Sequence, residues 1–367
     1  MSEKGIRILT WTVQPDETAA SKTTASETTA DGAAAGGATT VEHFLRAKGC
    51  SHHVLMQLKR TDGGILRNGE PVFTNRPLLP GDTLSIRIAE AADSKSIKPV
   101  SLPLAIVYED EDLLVVDKPS DMPVHPSMGN YENTLANAVM YYYASRGIPF
   151  TFRCVTRLDR DTTGLVLIAK NMLSSAILSD MSAKRQIHRE YLAVTEGELP
   201  ENGTVDAPIA RAEGSPLLRC VNFEKGERAV THYQRLGVFT GSRKLSIPEA
   251  SALPDVFSLA SVTLGTGRTH QIRVHMNYIG HPLPGDFLYN PDTVCPLAPR
   301  QMLHSHRLSF AHPITGEMLS FESKLPQDMR QLLDAYEFSG FSPGTQSFSV
   351  PSEESSESNK LPSLRCF

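Results

Sequence analysis

Arg157-Leu158-Asp159-Arg160-Asp161-Thr162-Thr163-Gly164 runs directly into Leu165-Val166-Leu167-Ile168-Ala169-Lys170. Two carboxylates and two arginines crowd a short polar stretch, and an unbroken apolar run follows. A run of this length, closed by a lysine, reads as a strand buried on both faces. The polar stretch is then a loop that delivers charged side chains to the start of that strand. Cations beside Asp159 lower a carboxyl pKa and keep the group ionised, which suits a nucleophile. The same residues also fit a plain turn entering a strand, with Asp159 and Asp161 as turn formers.

Outward from this point the pattern predicts an α+β domain over 104–337. Ile106–Tyr108 and Leu113–Val116 read as strands around an acidic turn, 134–146 and 172–185 as helices, and 164–169 as the buried strand. Strands follow between Tyr191 and Tyr233 and at 257–264. His270–Tyr278 reads as helical, Pro313–Gly316 as a turn between paired strands, and 326–336 as a closing helix.

The front of the chain is organised differently. Residues 1–13 contain a β-branched strand at 6–13, and 14–39 consist of Ala, Thr, Ser and Gly with almost no bulk, a composition expected to stay disordered. Residues 40–90 form a small unit. Val41, Phe44 and Leu45, then Val54, Leu55 and Leu58, are spaced for two helices. Short strands with turns at Asn68-Gly69 and Pro80-Gly81 come next. A linker is expected at 91–103, a surface insertion at 240–255, and a disordered tail at 338–367.

Composition narrows the classes. Apolar residues make up 40 % of the 367, enough for a sizeable core. The five cysteines are scattered and odd in number, which argues against a disulfide framework or a zinc ribbon and fits a reducing cytoplasm. No apolar leader opens the sequence, and no stretch reaches the roughly 18 apolar residues needed to span a membrane. The net charge of −5 argues against a nucleic-acid partner only on average. The acid is concentrated in the front insert and the tail. Arg153, Arg157, Arg160, Lys170, Lys184, Arg185 and Arg189 make 153–189 basic, and local charge is what a strand of RNA feels.

Five segments, taken in order, resemble the RluA-type pseudouridine synthases. These are Val116-Asp117-Lys118-Pro119 with Met122–Pro126; Arg157-Leu158-Asp159 with Thr162-Thr163-Gly164-Leu165; Tyr191-Leu192-Ala193-Val194; Gly267–Met276 followed by Gly280-His281-Pro282 and Gly285-Asp286; and Leu303-His304 with Leu308–Glu317. Thr156 departs from the histidine that often precedes Arg-Leu-Asp. The resemblance covers about 104–337. It implies a mixed, mainly antiparallel sheet with flanking helices and a central cleft. It also implies isomerisation of uridine to pseudouridine in structured RNA, with the base flipped out of its stack.

Three catalytic roles come with it. Asp159 attacks the substrate or promotes glycal formation, Tyr191 packs on the base and serves as general base, and Arg273 pairs with Asp159. Arg157, Leu303, Arg268, His270 and Gln271 would contact substrate. No redox change occurs, so neither cofactor nor metal is needed. Residues 40–90 resemble an S4-type RNA-binding module, with Lys59, Arg60 and Arg67 as phosphate contacts. That module favours large-subunit (23S-type) ribosomal RNA over transfer RNA, and the family implies a monomer.

Two other classes were weighed. Six late histidines (His270, His275, His281, His304, His306, His312) suggest a metal hydrolase, but no H-E-x-x-H spacing or cysteine pair supports one. A non-catalytic S4-bearing RNA-binding protein is opposed by the presence of every expected functional residue.

Overall fold

Two main helices, a single helical turn and a four-stranded sheet form the N-terminal unit. The elements are β1 (Ile6–Thr12), α1 (Pro15–Thr18), α2 (Val41–Ala47), α3 (His52–Arg60), β2 (Ile65–Arg67), β3 (Glu70–Pro71) and β4 (Thr83–Ala89), with sheet order β1-β4-β2-β3. The computed structural model describes residues 5–18, 39–90, 97–127, 129–241, 254–292 and 297–341. Each main helix starts where a hydroxyl takes up a free backbone N–H: Thr40 accepts from His43, and Ser51 from Val54. Strand β4 alternates Leu84, Ile86 and Ile88 inward, and these pack on Phe44, Leu45, Leu55 and Leu58. Asn68 and Gly69 both have positive φ, the geometry that lets a two-residue hairpin follow strand twist.

The larger unit holds β5 (Ala105–Glu109), β6 (Leu113–Lys118), α4 (Leu135–Ala144), β7 (Arg153–Cys154), β8 (Thr163–Ala169), α5 (Met172–Ala183), β9 (His188–Glu196), β10 (Asn202–Asp206), β11 (Ile209–Arg211) and β12 (Arg219–Val221). It continues with β13 (Val230–Thr240), β14 (Val256–Leu264), α6 (Gln271–Tyr278), β15 (Leu303–Ala311), β16 (Met318–Glu322), α7 (Gln327–Asp334) and β17 (Glu337–Phe341). An 11-stranded sheet runs β10-β13-β14-β9-β15-β8-β6-β5, with β16, β17 and β7 on its flanks. Every pairing is antiparallel except β15 with β8, where His304 lies opposite Thr163 and Ser305 opposite Gly164. The fold is thus mixed α+β and mainly antiparallel, as expected. Strand β8 is buried at all seven positions.

The parallel pair positions the functional residues. It puts the start of β15, Leu303, at the same end as the loop that precedes β8. Close approach there requires a glycine: a Cβ on Gly164, whose φ is 109°, would lie 2.2 Å from the Ser305 carbonyl oxygen. Strand β9 pairs with the other edge of β15 and sets Tyr191 opposite Ser305.

The structure differs from the sequence reading at several boundaries. Strand β17 lies beyond the expected domain end at 337 and inside the expected tail. Its Glu-Phe-Ser-Gly-Phe sequence has little pattern of its own, and it forms by completing the edge of β13, with Phe338 against Phe239 at 5.3 Å. Within the expected 14–39 insert, Pro15–Thr18 forms one helical turn, because Glu17 accepts the Gln14 N–H and pairs with Lys48. Strand β1 belongs to the N-terminal sheet rather than standing apart from 40–90. Residues 19–38, 91–96, 242–253 and 342–367, which hold most of the expected insert, insertion and tail and the first part of the expected linker, lie outside the described residues.

The two units meet through a small ionic and apolar seam. Arg7 of β1 pairs with Asp112 at 2.8 Å, Arg153 pairs with Glu90 at 2.8 Å, and Leu173 of α5 joins the N-terminal core. No helix among the described residues is long and apolar enough to cross a membrane.

Candidate active site

The loop 155–162 is anchored from several sides before Asp159 makes any contact through its side chain. Thr156, where a histidine was expected, is buried, and its hydroxyl accepts the Leu167 N–H at 2.9 Å. Lys118, 1 % exposed, donates to the carbonyls of Pro119, Met122 and Arg160 at 2.8–2.9 Å. It thereby ties the loop after β6 to the Asp159 loop. Burial pulls the Lys118 pKa down to about 7, and Asp161 and Asp159 oppose that fall. From the other side Arg300 donates to the carbonyls of Asp161, Gln301 and Leu303, while Asp328 holds its remaining fork at 2.6 and 2.9 Å.

Asp159 projects into a cleft of about 1190 Å³. Arg273, on the first turn of α6, reaches it at 3.1 Å from Nη1 to Oδ2. The other two contacts of Arg273 are bidentate, Nε and Nη2 to the carboxylate of Asp286 at 2.7 Å each. Arg273 is 3 % exposed and Asp286 fully buried. Burial opposes the charge on Arg273, yet bonds to Asp286, its charge and then Asp159 raise the guanidinium pKa above its ordinary value. A salt bridge between Asp159 and a residue 114 positions downstream therefore exists as expected.

Asp286 has a second task. Its Oδ1 accepts the N–H groups of Leu288 and Tyr289, which turns the chain back over Arg273. The guanidinium then sits 5.0 Å from the Tyr289 ring centroid, and the Tyr289 hydroxyl lies 2.8 Å from His270 Nδ1 and accepts the Arg219 N–H at 3.0 Å. His270 Nε2 is 4.0 Å from Asp159 Oδ1. Burial lowers the His270 pKa, with Asp159 pulling the other way. Nothing in the sequence reading pointed to Tyr289 or Arg300. Asp286 and Lys118 stood in recognised motifs but had been given no role, because each acts through a partner far away in sequence.

All eight residues expected in this domain line the cleft: Arg157, Asp159, Tyr191, Arg268, His270, Gln271, Arg273 and Leu303. Tyr191 and Leu303 are each 4 % exposed and pack together with Leu158 and Ile272 into an apolar wall beside Asp159. Arg157 is exposed. Gln271 meets a geometry that differs from the expected substrate contact. Its amide nitrogen donates to the Val230 carbonyl and the Thr231 hydroxyl, and its oxygen accepts from Thr266 and the Arg268 N–H. The side chain braces the turn ahead of α6. Arg268 is likewise engaged, with Glu227 and the Arg228 carbonyl.

In the N-terminal unit, Lys59 and Arg60 border a second cleft of about 1020 Å³, although Lys59 also pairs with Glu42 at 3.5 Å. Arg67 is turned aside to the Pro77 carbonyl at 2.9 Å.

The late histidines do not gather. His275 is held by Thr231 and the Ala207 carbonyl, and His304 and His306 both face the Ser323 carbonyl. His312 lies with Asp110 and Asp112, a group of possible ligand atoms. Those atoms already carry hydrogen bonds, from Tyr108 and His312 to Asp110 and from Arg7, Asn171 and Ser174 to Asp112.

Comparison with known proteins agrees with this geometry. The family model described as RNA pseudouridylate synthase matches residues 112–278. A Bacillus subtilis protein named uncharacterized RNA pseudouridine synthase YjbO is 38 % identical over 295 residues, covering 80 % of this chain and 98 % of its own. Ribosomal large subunit pseudouridine synthase D of Zymomonas mobilis is 41 % identical over 247 residues, 64 % of this chain and 73 % of its own. The solved structure of Human RNA Pseudouridylate Synthase Domain Containing 1 has the same fold, with a TM-score of 0.52 at 24 % identity over 69 % of this chain and 94 % of that one. The chain belongs to the RluA-type family of RNA pseudouridine synthases.

Proposed function

We propose that this synthase modifies a uridine of large-subunit ribosomal RNA, with Asp159 as the carboxylate that loosens the glycosidic bond. The observation that carries the reading is the Arg273–Asp159 contact at 3.1 Å inside a cleft with room for a nucleobase. Arg273 occupies Oδ2 and orients the group, while Oδ1 accepts no hydrogen bond from the described residues and is left for the substrate. Tyr191 and Leu303 offer an apolar face on which a flipped uracil stacks. The reaction moves C1′ from N1 to C5. N1 gains a proton and C5 loses one, a transfer suited to the Tyr191 hydroxyl. Arg157 stands at the exposed border of the cleft as a phosphate contact, Arg268 in the same cleft is paired with Glu227, and His270 lies beside Asp159.

Ribosomal RNA as substrate is supported by relatives that carry the name ribosomal large subunit pseudouridine synthase D. It implies a cytoplasmic enzyme. The two-helix and hairpin layout of the N-terminal unit suits an S4-like RNA-binding module, with Lys59 and Arg60 directed to phosphates.

Tritium release from ribosomal RNA labelled at uridine C5 tests the assignment. Wild type is expected to release label, and Asp159→Asn to lose at least about 10³-fold in rate, the scale of removing a central charged catalytic group. Equal release by the two proteins refutes the assigned carboxylate.

A further inference from the structure

Four non-glycine residues among those described have positive φ: Asn68, Asp121, Arg185 and His270. Asn and Asp tolerate that region, and His270 is fixed by the site already described. Arg185 is different. It sits just past the end of α5, where the Gln186 N–H returns to the Met181 carbonyl at 2.8 Å and the Arg185 N–H to Ser182 at 3.1 Å. This helix ending demands a left-handed residue and ordinarily takes glycine. An arginine at φ 59° costs more there than a glycine would. Its side chain is exposed, lines the Asp159 cleft, and makes no hydrogen bond or ion pair with the described residues.

Two more arginines in the same cleft, Arg157 and Arg189, are equally uncommitted. Arg268 and Arg273 in the same cleft, and Arg160 and Arg307 outside it, each meet a carboxylate. Three arginines that line one cleft thus have no partner among the described residues, and one of them is held in an unfavourable backbone conformation.

We propose that Arg185 and Arg189 are a phosphate-binding pair that grips the RNA backbone flanking the target uridine. This rests on the reading of the cleft as an RNA site and extends it to residues that do no chemistry. The flipped nucleotide leaves its neighbours' phosphates at the cleft mouth, and guanidinium forks match phosphate oxygens. Binding there contributes affinity and leaves the chemical step alone.

The test has two signs. Arg185→Gly relieves the backbone, so the thermal midpoint should rise by about 1–2 °C. Binding to transcribed large-subunit ribosomal RNA should weaken about fivefold, and the slope of log affinity against log salt should become shallower by roughly 0.7–0.9, the value of one lost phosphate contact. Arg185→Gln and Arg189→Gln should weaken binding equally without the gain in midpoint, raising KM while kcat stays within about twofold. Arg185→Lys should recover most of the affinity. Lys98→Gln, at a residue that does not line the cleft, serves as the control.

Wild-type affinity and salt slope in both glutamine variants would overturn the proposal and leave the RNA reading intact. A lower midpoint in Arg185→Gly would show that the arginine is a structural fit, and would overturn it too. A wild-type chain that neither binds this RNA nor releases tritium from it would sink the underlying reading together with the proposal.

Discussion

The two walls of the Asp159 cleft are built on opposite rules. Behind Asp159 three described cations are engaged: Arg273 is divided between Asp286 and Asp159, Arg300 is held by Asp328, and Lys118 donates to three carbonyls. On the outer side Arg157, Arg185 and Arg189 have no partner among the described residues. Paired buried charges fix one geometry at a high desolvation cost, while unpaired exposed charges remain free for something outside the chain. The difference separates the part of the site that must be rigid before substrate arrives from the part that completes itself only on binding.

Removing a partner on the inner wall should have the largest effect. Asp286→Ala leaves Arg273 charged, buried and half-paired, and is expected to destabilise the fold by about 3–5 kcal/mol. It also frees Arg273 to abandon Asp159. Denaturant unfolding and tritium release measure the two losses. Unchanged stability would mean that the inner wall is not held by charge pairing.

The next effect is a dependence on pH. His304, at the inner start of β15, is buried against Thr163, and burial depresses its pKa to about 4. An unfolded histidine titrates near 6.5, so between about pH 6.5 and 4 the unfolded chain binds the extra proton. Stability should therefore fall on acidification through that window, by on the order of 3 kcal/mol from this group, and reach its floor near pH 4. In His304→Gln that part of the slope should vanish. Parallel pH profiles for variant and wild type would remove His304 from the account.

The smallest expected change sharpens the boundary between the walls. Tyr289→Phe removes only the hydroxyl that links the Arg219 N–H to His270, and keeps the ring over Arg273. A loss of about 1 kcal/mol of transition-state stabilisation, near fivefold in kcat with KM unchanged, is the scale of one hydrogen bond. If KM rose instead, Tyr289 would belong with the substrate-gripping wall.

Much of this was legible in the chain itself. The apolar run 165–169, the helix spacing of α2 to α5, and the Asn68-Gly69 turn depend on neighbours a few residues apart, and they formed within a residue or two of expectation. The eight cleft residues came from motifs whose order along the chain carries their identity, and the cleft gathered all of them. Less legible was what each does once gathered. Gln271 became a brace because Val230 and Thr231 happened to fold over it. Strand β17 formed because β13 had an edge to offer.

Local periodicity and turn chemistry determined the elements, and the motif residues determined the family, since both are written in short-range order. The tertiary structure alone decided which charges are paired. Asp159 and Arg273 are separated by 114 residues, and whether two ions meet depends on where a parallel strand is inserted between distant segments. Coulomb energy follows distance in space, and no spacing along a chain encodes it.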